Sequence, residues 1–243
     1  MPARILAIAV AVVIDAMHRK LIYVIALFAA LMTVAIPFLP SYGQGVVEGV
    51  YREVALALIY IFAMVVAIAL SATRMPSEIE RRTLYPVLAR GVGRGEYIFG
   101  TWFGIVAVLA ATLLALGVVT IVIAYFNYDE LMLVLLAGAL AIWFEAGVIA
   151  AFCVLAATMA GPIVTSVAAL AFLFIGHVRS VLVDPGTLLF SLYPSLDTFN
   201  VIIPVAHGAG YTLIYGLTML AYWAVYSGIC LAAATFSFTS KDL

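Results

Sequence analysis

Long apolar runs alternate with short polar breaks along this chain, and the breaks set its organisation. Residues 21–39, 54–72, 97–126, 131–159, 163–178 and 211–234 each approach or exceed the roughly twenty residues a helix needs to cross a bilayer. The pattern predicts six transmembrane helices. Residues 5–14 form a shorter run, about half a span, that ends in Asp15-Ala16-Met17-His18-Arg19-Lys20. It reads as an N-terminal helix lying at the interface, or as one arm of a bent helix continuous with the first span. Residues 180–210 are interrupted by Pro185, Gly186, Pro194, Pro204 and Gly208 and carry Asp184, Asp197 and Asn200. Irregular backbone at membrane depth survives only where protein or water satisfies it, so short re-entrant or interfacial helices are expected there, before the sixth span. The expected fold class is an all-α membrane protein, with residues 1–243 forming a single transmembrane domain.

One polar break differs from the rest. Residues 73–97 hold five of the eleven Lys and Arg residues, Arg74, Arg81, Arg82, Arg90 and Arg94, together with Glu78, Glu80 and Glu96. Pro76 suits the first position of a short helix, where its missing N–H is not needed. Glu78 and Glu80 would then lie near the positive end of the helix dipole, with Arg81 and Arg82 three and four residues beyond Glu78. Pro86 is expected to kink or end that helix. The stretch Arg90-Gly91-Val92-Gly93-Arg94-Gly95 then turns the chain back toward the membrane, and Tyr97 opens the next span at an aromatic-favouring interface.

With six spans, nine of the eleven basic residues fall on one side: Arg4, Arg19, Lys20, the five loop arginines and Lys241. Only Arg52 and Arg179 fall on the other. The basic side is expected to face the cytoplasm, which makes this a multi-pass protein of the cell membrane with both termini cytoplasmic.

At this loop the chain resembles a known family. The run from Ser77 to Gly104, SEIERRTLYPVLARGVGRGEYIFGTWFG, is similar to the first cytoplasmic loop of type-2 ABC transporter permeases, which reads as a Glu, a "gTL" stretch, "LLARPVSR", an aromatic and "GKW..G". The matching positions are Glu78, Thr83-Leu84, Val87-Leu88-Ala89-Arg90, Val92, Arg94, Tyr97, Gly100, Trp102 and Gly104. Gly91, Gly93 and Thr101 stand where the family usually has Pro, Ser and Lys. The stretch from Tyr193 to Asn200 resembles the family's "PNLDLFN" segment, and the ending from Phe238 to Leu243 resembles its "F.RRDL" tail with the arginines thinned to Lys241. The resemblance implies a non-enzymatic membrane subunit of an ABC exporter. Two permeases, as a homo- or heterodimer, would work with two copies of a separate ABC ATPase that binds ATP and Mg. It further implies that a coupling helix between spans 2 and 3 seats in the ATPase, with Glu78, Ile79, Arg81, Arg82, Thr83, Leu84, Arg90 and Arg94 as the coupling residues.

Composition agrees with a membrane protein and narrows the chemistry. Hydrophobic residues make up 67% of the chain and mean hydropathy is +1.25. The near balance of basic and acidic residues carries no nucleic-acid signature. No phosphate-cradling GxxxxGK[ST] loop, HExxH helix or GxSxG elbow is present, so no nucleotide or metal cofactor is expected in this chain. His18, His177 and His207 are scattered, and Cys153 and Cys230 lie in apolar runs where they read as packing residues.

Glu145 stands apart, near the middle of the fourth span. A central acidic residue costs about 2.5–3.5 kcal/mol on insertion scales, so its carboxyl must face protein or a water-filled cavity. It is either a protonatable group of the transport path or a hydrogen-bonded packing contact between helices. Gly100 and Gly104 form a GxxxG that allows close helix approach, for packing within the chain or between chains. Two other classes fit the same features: a non-transporting scaffold that binds a partner through the charged loop, and an ion-coupled carrier centred on Glu145.

Overall fold

The computed structural model describes residues 2–18, 21–35, 46–80, 91–182 and 194–240, which are almost entirely helical and contain no strand. Helices α1 (Pro2–His18) and α2 (Leu21–Ala35) precede α3 (Val46–Glu80), α4 (Arg94–Tyr128), α5 (Val134–Met159) and α6 (Pro162–Leu182). A 3-10 turn at Leu196–Phe199 and the short α7 (Ile202–Ala206) lead into α8 (Leu213–Thr239). Five of these helices, α3, α4, α5, α6 and α8, are long and apolar enough to cross a membrane. The chain is an all-α protein of membrane-spanning character. Helix α2, at 15 residues, is about 22 Å long and falls short of a roughly 30 Å hydrocarbon layer within the described residues.

Two expectations need correction. The polar break between the apolar runs 21–39 and 54–72, expected to be a link between spans, is already helical from Val46, because Arg52 pairs with Glu48 one turn back at 3.7 Å and Tyr51 is buried, donating to the Thr120 carbonyl at 2.8 Å. Pro76 does not start a separate helix. It lies inside α3, which runs unbroken to Glu80. A proline removes one backbone donor, but the turn around it is held by its neighbours: Arg74 reaches Glu78 across the proline at 3.0 Å, and the Ser77 hydroxyl donates to the Arg74 carbonyl at 2.8 Å. At 35 residues each, α3 and α4 are about 52 Å long, so both must tilt or project beyond the hydrocarbon.

Helix α5 is the centre of the packing. Of its most apolar stretch 72% is buried, against 22% for α6 and 28% for α8, because α3, α4, α6, α7 and α8 all lie against it. Its small residues permit this. Leu56 of α3 occupies the space where a Cβ on Gly138 would sit, and Trp223 of α8 does the same at Gly147. Trp102, Trp143 and Trp223 then form one aromatic cluster joining α4, α5 and α8, with Trp223 5.2 Å from Trp102 and 5.6 Å from Trp143 between ring centres. Trp102 donates to the Gly147 carbonyl at 3.0 Å and Trp143 to the Val106 carbonyl at 2.9 Å.

The GxxxG of α4 packs within the chain. A Cβ at Gly100 would stand 2.8 Å from Ile8 Cβ, and one at Gly104 only 2.5 Å from Val12 Cβ and 2.9 Å from the Ala9 carbonyl. The contacts advance together, Ile8 to Val12 as Gly100 to Gly104, so α1 and α4 travel the same way through their close approach. Leu6, Val10 and Ile14 form a stripe on the outward face of α1. In a bilayer such a stripe meets lipid.

Candidate functional site

The charged end of the bundle is assembled from four helices. At the foot of α3, Arg74 is bound on both sides, to Asp15 of α1 at 2.9 Å and to Glu78 at 3.0 Å. Glu78 also accepts a hydrogen bond from the Tyr97 hydroxyl of α4. The start of α4 is fixed by Glu96, whose carboxylate accepts from the Gly93 N–H at 3.0 Å and lies 3.7 Å from Arg4. Arg4 itself donates to the carbonyl of Gly91, whose φ of 76° favours a residue without a Cβ. Arg94 crosses to the end of α8, donating to the Phe238 and Thr239 carbonyls at 2.7 and 3.0 Å with its guanidinium 5.6 Å from the centre of the Phe238 ring. A cation at a helix C-terminus satisfies carbonyls that have no partner in the helix.

Of the sequence-derived coupling residues, Glu78 and Arg94 therefore come to one end of the molecule and hold helices together there. Ile79 lies in the last turn of α3. Arg81, Arg82, Thr83, Leu84 and Arg90 lie outside the described residues. Glu78 was expected to pair with a basic group of the ATPase or to hold Arg81 or Arg82, which lie outside the described residues; among the described ones it pairs with Arg74, one turn back on the same helix.

The second polar site lies deep between α3, α5 and α6. Glu145 is 1% exposed. Its Oε1 accepts a hydrogen bond from the Tyr60 hydroxyl of α3 at 2.9 Å and lies 3.5 Å from His177 Nε2 of α6. His177 lies near the end of the apolar stretch of α6, which spans Pro162–Arg179 within a helix that runs on to Leu182. Its Nδ1 lies 3.2 Å from the Leu173 carbonyl, and a carbonyl only accepts, so Nδ1 carries a hydrogen. Nε2 then faces the carboxyl either bare or as a second N–H. Two unprotonated acceptors would repel, so the pair is balanced by one proton placed on the carboxyl or on the imidazole. Either placement leaves the pair electrically neutral. Losing that proton leaves a net charge of −1 inside the bundle.

A cavity of about 330 Å³ opens beside this pair. Tyr60, Glu145 and His177 form its polar wall, and Ile142, Leu173, Phe174, Phe199, Val201 and Ile202 form its apolar one. The interrupted segment before α8 supplies the cavity's rim, through Phe199 to Ile202. That segment is anchored by Tyr222 of α8, whose hydroxyl meets the Ser195 backbone N–H, and by Tyr215, which donates to the Thr198 carbonyl at 2.8 Å.

Glu145 was visible in the sequence, but its partners were not. A signal for one of them exists. Glu145 and His177 are each sixteen residues from Gly161, the turn between α5 and α6. In an antiparallel helix pair, equal separations put both side chains at the same height, about 24 Å from the turn. Tyr60 carries no such spacing signal. Compared with known families, the chain matches no family model, and it matches no curated protein.

Proposed function

We propose that this protein is the membrane subunit of a type-2 ABC transporter, an exporter that moves substrate across the cell membrane using ATP hydrolysed by a separate ATPase. In this reading residues 21–39 form the first of six spans, both termini are cytoplasmic, and two such subunits pair with two ATPase subunits. The observation that carries the proposal is the delivery of the family-like loop by α3. That helix passes continuously from the apolar core to Arg74, Glu78 and Glu80, at the end that also gathers Arg4, Arg94 and the tail of α8. A loop held so firmly at its base can pass a push from a partner straight into α1, α3, α4 and α8. The internal pairing of Glu78 adds to this reading, since a coupling element must be tied to the spans it moves.

Co-expression with ABC ATPase subunits of the same cell, followed by purification through this chain, tests the proposal. Stable association with ATPase-dependent substrate movement is the expected result. Association without movement would favour a scaffold, and gradient-driven movement without ATP would favour an ion-coupled carrier, a reading that the one-proton pair of Glu145 and His177 supports. Topology is checked by replacing Cys153 and Cys230, both buried in spans, and introducing single cysteines at Ser240 and Asn127, exposed at opposite ends. Ser240→Cys is expected to react only from the cytoplasmic side and Asn127→Cys only from outside. The reverse pattern would overturn the orientation and the coupling assignment with it.

A further inference from the structure

We propose that the cavity beside Glu145 is a binding site for a lipophilic monocation, which enters in exchange for the proton shared by Glu145 and His177. The observations are geometric. The carboxyl is 1% exposed, the Tyr60 hydroxyl and His177 Nε2 are its described hydrogen-bond and ion-pair partners, and the rest of the cavity wall is apolar and aromatic apart from Asn200. A buried carboxylate requires one positive partner, and the proton of the pair is that partner when the cavity holds no cation. A ligand cation placed against Oε1 can take over the neutralising role, and the proton is then free to leave. The total charge inside the bundle is the same before and after.

Shape and wall chemistry select the ligand class. At about 330 Å³ the cavity is at the small end of the range for small-molecule sites. Tyr60, Phe174 and Phe199 offer three aromatic rings near a carboxyl, which suits a cation of low hydration attached to an apolar body. A strongly hydrated metal ion is disfavoured by the same walls, and no cluster of three or more His, Cys, Asp or Glu side chains exists among the described residues.

The groups that act on the pair come from every side. Helix α3 contributes Tyr60, α6 contributes His177, and the 3-10 turn contributes Asp197, whose negative charge is felt at Glu145. Asp197 adds to the preference for a cation. Arg179, farther along α6, acts on Tyr222 of α8, which is occupied with Ser195. From α7 and its approach come Asn200, Val201 and Ile202, none of them ionisable.

As a statement about transported substrate this inference rests on the transporter reading; as a statement about binding it needs only the full chain in liposomes. The test uses radiolabelled tetraphenylphosphonium and, as a probe of like size and opposite charge, tetraphenylborate. With protein-free liposomes subtracted, the phosphonium is expected to bind saturably. Each bound cation should release about one proton into weakly buffered medium, and affinity should fall as pH is lowered, approaching tenfold per unit once the pair is protonated. Glu145→Gln, which keeps an acceptor for Tyr60, should lose at least tenfold in affinity and all proton release. Saturable binding without proton release, equal binding by the Gln variant, equal competition by the borate, or no saturable binding would each overturn the proposal. If the Gln variant does not fold, proton release and the borate comparison in the unmodified protein decide alone. No ATPase is present, so failure here is distinct from failure of the co-purification.

Discussion

Two carboxylates in this protein each accept a hydrogen bond from a tyrosine, Glu78 from Tyr97 and Glu145 from Tyr60, yet their third partners differ in kind. Glu78 faces Arg74, whose guanidinium is charged at any pH a protein meets. Glu145 faces His177, whose charge depends on one proton. The first arrangement is a fixed staple, further tied to α1 through Asp15. The second is exchangeable. The difference follows from depth: near water a permanent ion pair costs little to hold, whereas in the apolar core a removable proton avoids two permanently desolvated charges.

The largest effect is expected from breaking the deep site with an apolar side chain. Glu145→Leu leaves the Tyr60 hydroxyl without its acceptor and His177 Nε2 without its counterpart. An unsatisfied buried polar group costs about 1–3 kcal/mol, so thermal unfolding in detergent should show a clear loss of stability for Leu and a smaller one for Gln. Equal stability of the Leu variant would mean that the carboxyl is not integral to packing.

A packing change can disturb the charged end while sparing the deep one. Gly104→Ala places a Cβ 2.5 Å from Val12 Cβ and 2.9 Å from a backbone carbonyl, so α1 must move away from α4. Overpacking of this kind costs about 1–3 kcal/mol, and the shift should draw Asp15 off Arg74. Cross-linking between cysteines placed on α1 and α4 should fall, while phosphonium binding at the Glu145 cavity stays unchanged. Loss of both together would show that the two regions are mechanically one.

The tyrosines give a finer comparison. Tyr60→Phe and Tyr97→Phe each delete one hydroxyl and little volume. Glu78 keeps Arg74 after the change, whereas Glu145 keeps only His177. Tyr60→Phe should therefore cost more, with a difference on the order of 1 kcal/mol between the two midpoints after conversion to free energy. A larger loss at Tyr97 would reverse the ranking of fixed and exchangeable sites.

What could be read from the sequence followed the strength of each local signal. Apolar runs located α3, α4, α5, α6 and α8 because span length is imposed by the bilayer itself. Glu145 stood out because an acid in an apolar run is expensive, and the close approach of α1 to α4 was foreshadowed by the GxxxG of Gly100 and Gly104. The start of α3 at Val46 and its passage through Pro76 were misread, since glycines, charges and a proline all mark breaks locally, while i,i+4 ion pairs and the burial of Tyr51 override them. Arg74 as the centre of a three-helix network was hidden for another reason. The Arg74–Glu78 pair is local, four residues apart on α3, but Asp15 comes from α1 and Tyr97 from α4, and no local pattern encodes how those helices dock.

The smallest expected change in stability, and the most informative for function, is Glu78→Ala. Removing this carboxylate leaves Arg74 with Asp15, so Arg74 keeps one of its two ion pairs among the described residues. Partly exposed pairs contribute under about 1 kcal/mol, and unfolding should shift little. Tyr97 loses an acceptor but gains space for water, which adds little to that figure. If the charged end serves only to close the bundle, ATPase association and coupling should then be as small a casualty as stability. If it transmits motion from a partner, the same variant should weaken ATPase association or leave hydrolysis running without transport, because α3 is no longer tied to α4 at the loop's base. A control at Asp129, the capping residue at the opposite end of α4, should change neither. Association, substrate-stimulated hydrolysis and transport are measured for both variants. Wild-type values in all three for Glu78→Ala would reduce the Arg74–Glu78–Tyr97 group to a structural clasp and remove it from the coupling path.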